Sequence, residues 1–275
     1  MSASPSPPAH GPLQLPASWD AVAAGYAEEV QGWFVPFAEE AEREAALGPD
    51  DRVLDVAAGP GSLALRVAPR VRQVTAVDFS PAMIEQLTAR AARAGAGNVE
   101  AAVMDAQALA LADGRFDAAF CLFGFMFFPD RARAFRELHR VLRPGGRAVV
   151  ATWAPIDRRP LMKVAFDAIA AVFPDLPRPQ KGDLQQPDEC VAEMSAAGFD
   201  QVSARAVTAS VWVESAERYL EATERSGAPL ALLRKKVGPA VWADSHARLL
   251  DIVRQSVPAG GASLGAEAII TRGVR

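Results

Sequence analysis

A glycine-rich turn follows the apolar run Val53-Leu54-Asp55-Val56, and an acidic residue, Asp78, closes the next apolar run, Val74-Thr75-Ala76-Val77. No other feature constrains the fold as much. The turn Ala57-Ala58-Gly59-Pro60-Gly61 runs on into Ser62-Leu63, so the segment reads as buried strand, tight turn and helix start. A second strand ending in a carboxylate extends it into a βαβ unit. Glycine lets the backbone approach a ligand at such a turn, and a carboxylate at the second strand end accepts hydrogen bonds from ribose hydroxyls. The pattern points to a nucleoside-containing ligand.

The remaining segments keep the same rhythm. Strands are expected over 52–57, 73–78, 98–104, 116–123 and 147–153, with helices between them. Ser80-Pro81 is a strong helix start, Ser as N-cap and Pro at the first helical position, and Gly95 is the expected stop. The run 116–123 is almost wholly apolar, as a parallel strand covered on both faces requires. Alternation of this kind implies a doubly wound, mostly parallel sheet.

Before the first strand, residues 19–46 form a helical region carrying Tyr26, Trp33 and Phe34, which Pro36 is expected to break or kink. After the fifth strand the rhythm changes. Two helices with a proline-rich link at 174–187 fill 155–198, a strand follows at 201–213, 215–256 is helical, and 264–274 is a closing strand. The expectation is one domain over 17–275, with 215–256 inserted before the last strand. Residues 1–16, rich in Ser and Pro and without a signal-peptide pattern, read as a flexible leader.

Composition narrows the partners. Half the residues are hydrophobic, yet no apolar run reaches a membrane-spanning length. A net charge of −4 argues against general affinity for nucleic acid. The arginines between 131 and 147 read as a solvated helix face. Two cysteines, Cys121 and Cys190, give no disulfide framework, and a cytoplasmic location is the expectation. No metal-ligand spacing occurs. The three histidines, His10, His139 and His246, offer no evident catalytic base.

In their order, these motifs resemble the class I S-adenosylmethionine-dependent methyltransferases, in particular the branch containing the ubiquinone and menaquinone C-methyltransferases. The resemblance covers 19–153. It is carried by Val53 to Gly61, by Val77-Asp78-Phe79-Ser80-Pro81-Ala82-Met83, by Met104-Asp105-Ala106 and by Arg140-Val141-Leu142-Arg143-Pro144-Gly145-Gly146. It implies a seven-stranded Rossmann-like α/β sheet whose last strand inserts antiparallel, with S-adenosyl-L-methionine as cofactor; the apolar content of the first helix, of 155–187 and of 215–256 favours a small hydrophobic acceptor. The chain departs from the family at Ala57, where a glycine is usual, and at Pro60, which stiffens the turn.

The resemblance also assigns roles. Asp55 orients the glycine turn or meets the methionine ammonium, and both readings stay open. Ala57, Gly59 and Gly61 approach the cofactor, Asp78 holds the ribose, Phe79 beside it is a further cofactor-binding candidate, and Met83 and Met104 flank the adenine. Asp105 and Ala106 bind the adenine edge, with Cys121 nearby. Tyr26 is a lid candidate, while Phe123, Phe125 and Trp33 are candidates for the acceptor pocket. Neither a metal nor a catalytic residue is assigned. Two rival readings remain: an NAD(P)-dependent oxidoreductase, because Gly59-Pro60-Gly61-Ser62-Leu63-Ala64 also satisfies G-x-G-x-x-A, and a non-catalytic cofactor-binding protein. The chain is expected to be a monomer or homodimer.

Overall fold

Two buried strands set the frame. In this computed structural model, which describes residues 11–176 and 184–275, β1 (Arg52–Val56) and β2 (Gln73–Asp78) pair in parallel. Val53 lies opposite Val74, and Val56 opposite Val77. β3 (Val99–Val103) extends the sheet beyond β2, while β4 (Phe116–Leu122) and β5 (Leu142–Trp153) extend it from the other side of β1. β6 (Asp200–Val213) and β7 (Ala262–Val274) complete the order β3-β2-β1-β4-β5-β7-β6. β7 runs antiparallel to both β5 and β6, and the other pairings are parallel. The expected seven-stranded, doubly wound sheet is therefore present. Strand order reverses between β1 and β4, and the carboxyl ends of such strands open the crevice in which α/β sheets hold ligands.

Helices cover both faces. α1 (Pro16–Asp20), α2 (Ala23–Glu29), α3 (Gln31–Ala45) and α4 (Ala64–Val67) precede β2; α5 (Pro81–Ala94) follows it. Ser80 caps α5 by accepting the Met83 N–H at 3.1 Å, as the sequence indicates. α6 (Arg131–Val141) follows β4, its Asp130 cap accepting the Arg133 N–H at 2.9 Å. α7 (Pro160–Val172) and α8 (Pro187–Ala196) follow β5. α9 (Ala216–Ser226), α10 (Ala228–Val237) and α11 (Pro239–Ser256) lie between β6 and β7. One apolar cluster joins α3, α4, α7 and α9–α11 to the sheet, and a second joins α6 and α8 to the opposite face.

Three local expectations are revised. Pro36 does not break its helix: α3 runs through it, and the interruptions fall at Ala21–Val22 and at Val30. Residues 215–256 are three helices, divided at Gly227 and Gly238. β5 begins at Leu142 instead of 147, because the chain end pairs with the glycine turn. Gly145 N–H donates to the Arg275 carbonyl at 2.6 Å, and Arg275 N–H to that of Gly146 at 2.9 Å. His10, the start of the leader, and 177–183 of the proline-rich link lie outside the described residues. Among the described residues no helix is long and apolar enough to cross a membrane.

The arginines of 131–147 are largely paired within the fold. Arg131 meets Glu193 at 2.9 Å, Arg140 meets Glu137 at 2.7 Å, and Arg147 meets Asp51 at 2.6 Å. Arg143 pairs with Asp117.

Candidate functional site

The ends of β1, β2 and β4 meet around two buried carboxylates. Asp55, inside β1, accepts the Ala64 N–H at 3.1 Å and so fixes the glycine turn to the start of α4. Asp78, the last residue of β2, accepts the Gly59 N–H at 2.9 Å and the Ser80 N–H at 2.9 Å. Burial raises Asp55 to about 8. Burial also raises Asp78, to about 6, against the lowering effect of its backbone hydrogen bonds. Each Asp78 oxygen carries two lone pairs, so acceptor capacity remains after these contacts.

The turn itself holds an unusual conformation. Ala57 has φ +53°, in the left-handed region that disfavours residues with a Cβ. This is the position where the resembling family places glycine. Across the crevice, Phe123 has φ +62°, directly after β4. Gly124 then passes so close that a Cβ on it would lie 2.6 Å from the Ala57 Cβ and 2.8 Å from the Cys121 Sγ. The turn that begins at Ala57 and the loop that begins at Phe123 thus meet, through Gly124, where strand order reverses. By contrast, a Cβ on Gly59 would meet nothing within 4 Å. The donor set fits a nucleoside cofactor: a carboxylate with spare acceptor capacity beside a turn whose backbone opens onto free space.

The other candidates are placed as follows. Met83 is buried in the first turn of α5, and Met104 is half-buried with its N–H donated to the Asp78 carbonyl at 3.0 Å. Phe79 is half-buried beside Asp78, Ala106 is buried, and Gly61 is buried in the turn. Asp105 is exposed and accepts both the Gln107 N–H at 2.9 Å and its side-chain amide at 3.1 Å. Cys121 is fully buried in the cluster under α6, and burial pushes its thiol upward.

An aromatic wall rises over β4 and β5. Phe123 stacks on Trp153, with ring centres 3.9 Å apart and planes at 22°. Phe34 approaches Phe123 at 5.0 Å and Trp153 at 6.0 Å, and Phe37 meets both edge-on. Tyr26 stacks on Phe34 at 5.9 Å and is edge-on to Trp19 at 6.2 Å. Burial, with the charge of Asp78, holds the Tyr26 phenol well above its ordinary range. Two pocket candidates are not brought to this wall. Phe125 is fully buried on the other face, stacked on Phe135 at 4.0 Å, because the short 3-10 turn after Gly124 directs it beneath α6. Trp33 packs against the core, while Phe34, next to it on α3, makes the ring contacts with Phe123 and Trp153.

The first three helices are fastened over this region. Asp20, at the end of α1, accepts the Ser80 hydroxyl at 2.6 Å and the Ala82 N–H at 3.2 Å. The Ser62 hydroxyl donates to the Gln31 side-chain oxygen at 2.9 Å, tying α3 to the glycine turn. Arg218 and Arg225 of α9 both reach Glu29 of α2, and Arg225 also reaches Glu28. Tyr219 of α9 donates its hydroxyl to the Leu161 carbonyl of α7 at 2.5 Å. Trp153, Asp20, Gln31, Phe37 and Arg159 were not singled out from the sequence.

An open groove of about 560 Å³ between α2 and α9–α11 is lined by Ala21, Gly25, Arg225, Arg234 and Lys235 among others, and none of Asp55, Gly59 or Asp78 borders it. The crevice at the strand ends is the better candidate, because the buried carboxylates converge there. His246 pairs with Glu224 at 2.6 Å and His139 packs on the Phe199 ring, so neither faces the wall. Among the described residues no acidic, histidine and cysteine cluster could hold a metal.

Residues 53–146 match the family described as a methyltransferase domain. A demethylmenaquinone methyltransferase of Thermus thermophilus is 43% identical over 106 residues, 38% of this chain and 48% of that protein. The chain spans less than half the length of the curated relatives it matches. Among solved structures, the YcgJ protein of Bacillus is similar over 86% of this chain and 97% of its own, with a TM-score of 0.57 at 22% identity. The [4+2]-cyclase SpnF is similar over 86% of this chain and 79% of its own, with a TM-score of 0.53 at 24% identity. At such identities these likenesses establish the fold. Residues 53–146, the βαβ core and the two strands beyond it, are thus similar to a methyltransferase domain, and the order of strands is the fold shared with these solved structures.

Proposed function

We propose that the chain transfers a methyl group from S-adenosylmethionine to a small, flat, largely apolar acceptor. The observation that carries this reading is the buried Asp78 carboxylate, which accepts the Gly59 N–H and whose charge acts on Tyr26, itself stacked on the Phe34 ring that meets Phe123 and Trp153. Asp78 would hold the ribose hydroxyls with its remaining lone pairs, Gly59 and Ala57 would admit the cofactor close to the backbone, and Asp105 would receive the adenine amino group. Met83 and Met104 would flank the base. Asp55 would meet the methionine ammonium through the turn. When bound, the cofactor supplies a sulfonium methyl, an electrophile that carries its own leaving group.

The residues of this chain then have three tasks. The rings of Phe123, Trp153 and Phe34 position the acceptor and favour a cationic neighbour through their faces. Helices α1–α3, held by Asp20–Ser80 and Gln31–Ser62, exclude water from the crevice. The turn after β4 fixes the wall against the glycine turn, which sets orientation. The described histidines do not reach the wall, so the reading favours an acceptor atom already nucleophilic without a protein base, such as an electron-rich carbon or an amine.

The [4+2]-cyclase of the same fold favours a second reading, in which the crevice binds the cofactor while a different reaction runs on the wall. Isotherms for S-adenosylhomocysteine and NAD, followed by transfer of labelled methyl to a panel of quinols, phenols and amines, separate these readings. Binding without any transfer would favour the second. Binding of NAD alone would sink both.

A further inference from the structure

Among the described residues, Arg159 is a cation without an acid beside it. It sits in the connection between β5 and α7, at the N-cap position of α7, and its guanidinium carbon stands 5.8 Å from the centre of the Trp153 ring. Its Nε is buried with no hydrogen-bond partner, and among the described residues no carboxylate pairs with it. The preceding residue shows the contrast: Arg158 reaches Glu267 at 2.9 Å. Burial by itself lowers Arg159 to about 10.

A buried charged donor left unpaired is costly, and its persistence calls for an explanation. Packing of the arginine stem on Trp153 is the bland one. Stem packing explains the contact with the ring but not the buried Nε. The position offers another account. Trp153 ends β5 and stacks on Phe123, which begins the loop after β4, so Arg159, over the Trp153 ring, belongs to the β5 side of the wall, one strand further from the glycine turn after β1 than Phe123. A planar guanidinium fork beside an aromatic ring stack matches a flat molecule carrying a planar or tetrahedral oxyanion.

We propose that Arg159 anchors an oxyanion of the acceptor, a carboxylate or a phosphate, whose ring lies along Trp153 and Phe123. The proposal deepens the methyl-transfer reading and rests on it: it names the acceptor class as an acidic aromatic or similarly flat molecule. In this arrangement the anion fixes one end of the acceptor at Arg159, and the reacting atom at the other end is turned toward the glycine turn. Arg159 is then a specificity-determining residue and takes no part in the transfer itself.

The test is calorimetric titration of the full chain with phenol, 4-hydroxybenzoate and phenyl phosphate, each with and without S-adenosylhomocysteine. At least one of the two anions is expected to bind about tenfold or more tightly than phenol, as a hydrogen bond to a charged group implies. Which anion is preferred separates carboxylate from phosphate recognition. Arg159→Met should abolish the preference and leave S-adenosylhomocysteine affinity unchanged. Equal binding of phenol and both anions, no binding of either anion, or a preference retained in Arg159→Met overturns the proposal. Should Arg159→Met fail to fold, Arg159→Lys takes its place. Its single-point donor must narrow the gap between anion and phenol, and an unchanged ratio overturns the proposal as well. Failure of the unmodified chain to bind S-adenosylhomocysteine would count against the methyl-transfer reading, whereas the anion comparison made without it still decides on Arg159.

Discussion

The Asp78 carboxylate accepts the Gly59 N–H at 2.9 Å, so the end of β2 and the turn after β1 are one hydrogen-bonded unit. The other Asp78 oxygen holds the Ser80 N–H, and Ser80 in turn caps α5 and binds Asp20 of α1. A chain of contacts thus links the glycine turn, the second strand and the first helix through Asp78, Ser80 and Asp20. Shape and charge at the crevice depend on it.

Replacing Asp78 by Asn should weaken S-adenosylhomocysteine binding by about 1.5–3 kcal/mol, the range for hydrogen bonds to a charged group. Since Asp78 titrates near 6, the affinity of the unmodified chain should fall as pH is lowered through that value and the carboxylate takes up a proton. Isotherms at several pH values read both effects. An Asn variant with wild-type affinity would remove the ribose assignment.

Asp55 gives a stability signature of its own. Its folded pKa, raised to about 8, lies above the ordinary 3.8, so the folded chain holds a proton that the unfolded chain has released between those values. The linked stability is fully present below the lower value and is lost as pH rises through the upper one. Asp55→Asn keeps an acceptor for the Ala64 N–H and removes the titration. Its melting temperature should therefore vary less across that window than that of the unmodified chain, and an unchanged slope would mean Asp55 is ionised at neutral pH.

Ala57→Gly should stabilise the chain by about 1 kcal/mol, because an L-residue in the left-handed region costs roughly 1–2 kcal/mol and glycine does not bear that cost. Denaturant unfolding measures it. A loss of stability would show instead that the packing of the Ala57 methyl against the Phe123–Gly124 loop outweighs the backbone strain.

Gly25→Ala probes the packing of α2 on α9. A Cβ there would lie 2.1 Å from the Arg225 carbonyl oxygen, a backbone atom that cannot move aside alone. Helices α2 and α9 must separate, at about 1–3 kcal/mol for an overpacked contact. Because Tyr26 follows directly on α2, S-adenosylhomocysteine should also bind more weakly. A stable variant with unchanged binding would show that α2 does not cover the crevice.

Local chemistry made much of this protein legible from residues alone. Strands β1, β2 and β4 announce themselves because parallel strands covered on both faces must be apolar throughout, and the Ser80-Pro81 start of α5 because a helix needs a cap and tolerates proline in its first turn. Asp55, Gly59 and Asp78 stand at strand ends and turns, where short-range sequence order fixes position. The tertiary structure decided what depends on distant segments meeting. Phe34, not Trp33, reaches Phe123 because the helix break at Val30 sets the rotation of α3, and adjacent positions on a helix face different directions. Phe125 turns under α6 instead of into the crevice because of the 3-10 turn after Gly124. The bond from Ser80 to Asp20, the pairing of Arg225 with Glu29 and the approach of Arg159 to Trp153 carry no mark in the sequence. A lone acid or base looks the same in sequence whether or not folding brings it a partner, and only packing decides which of them is left without one.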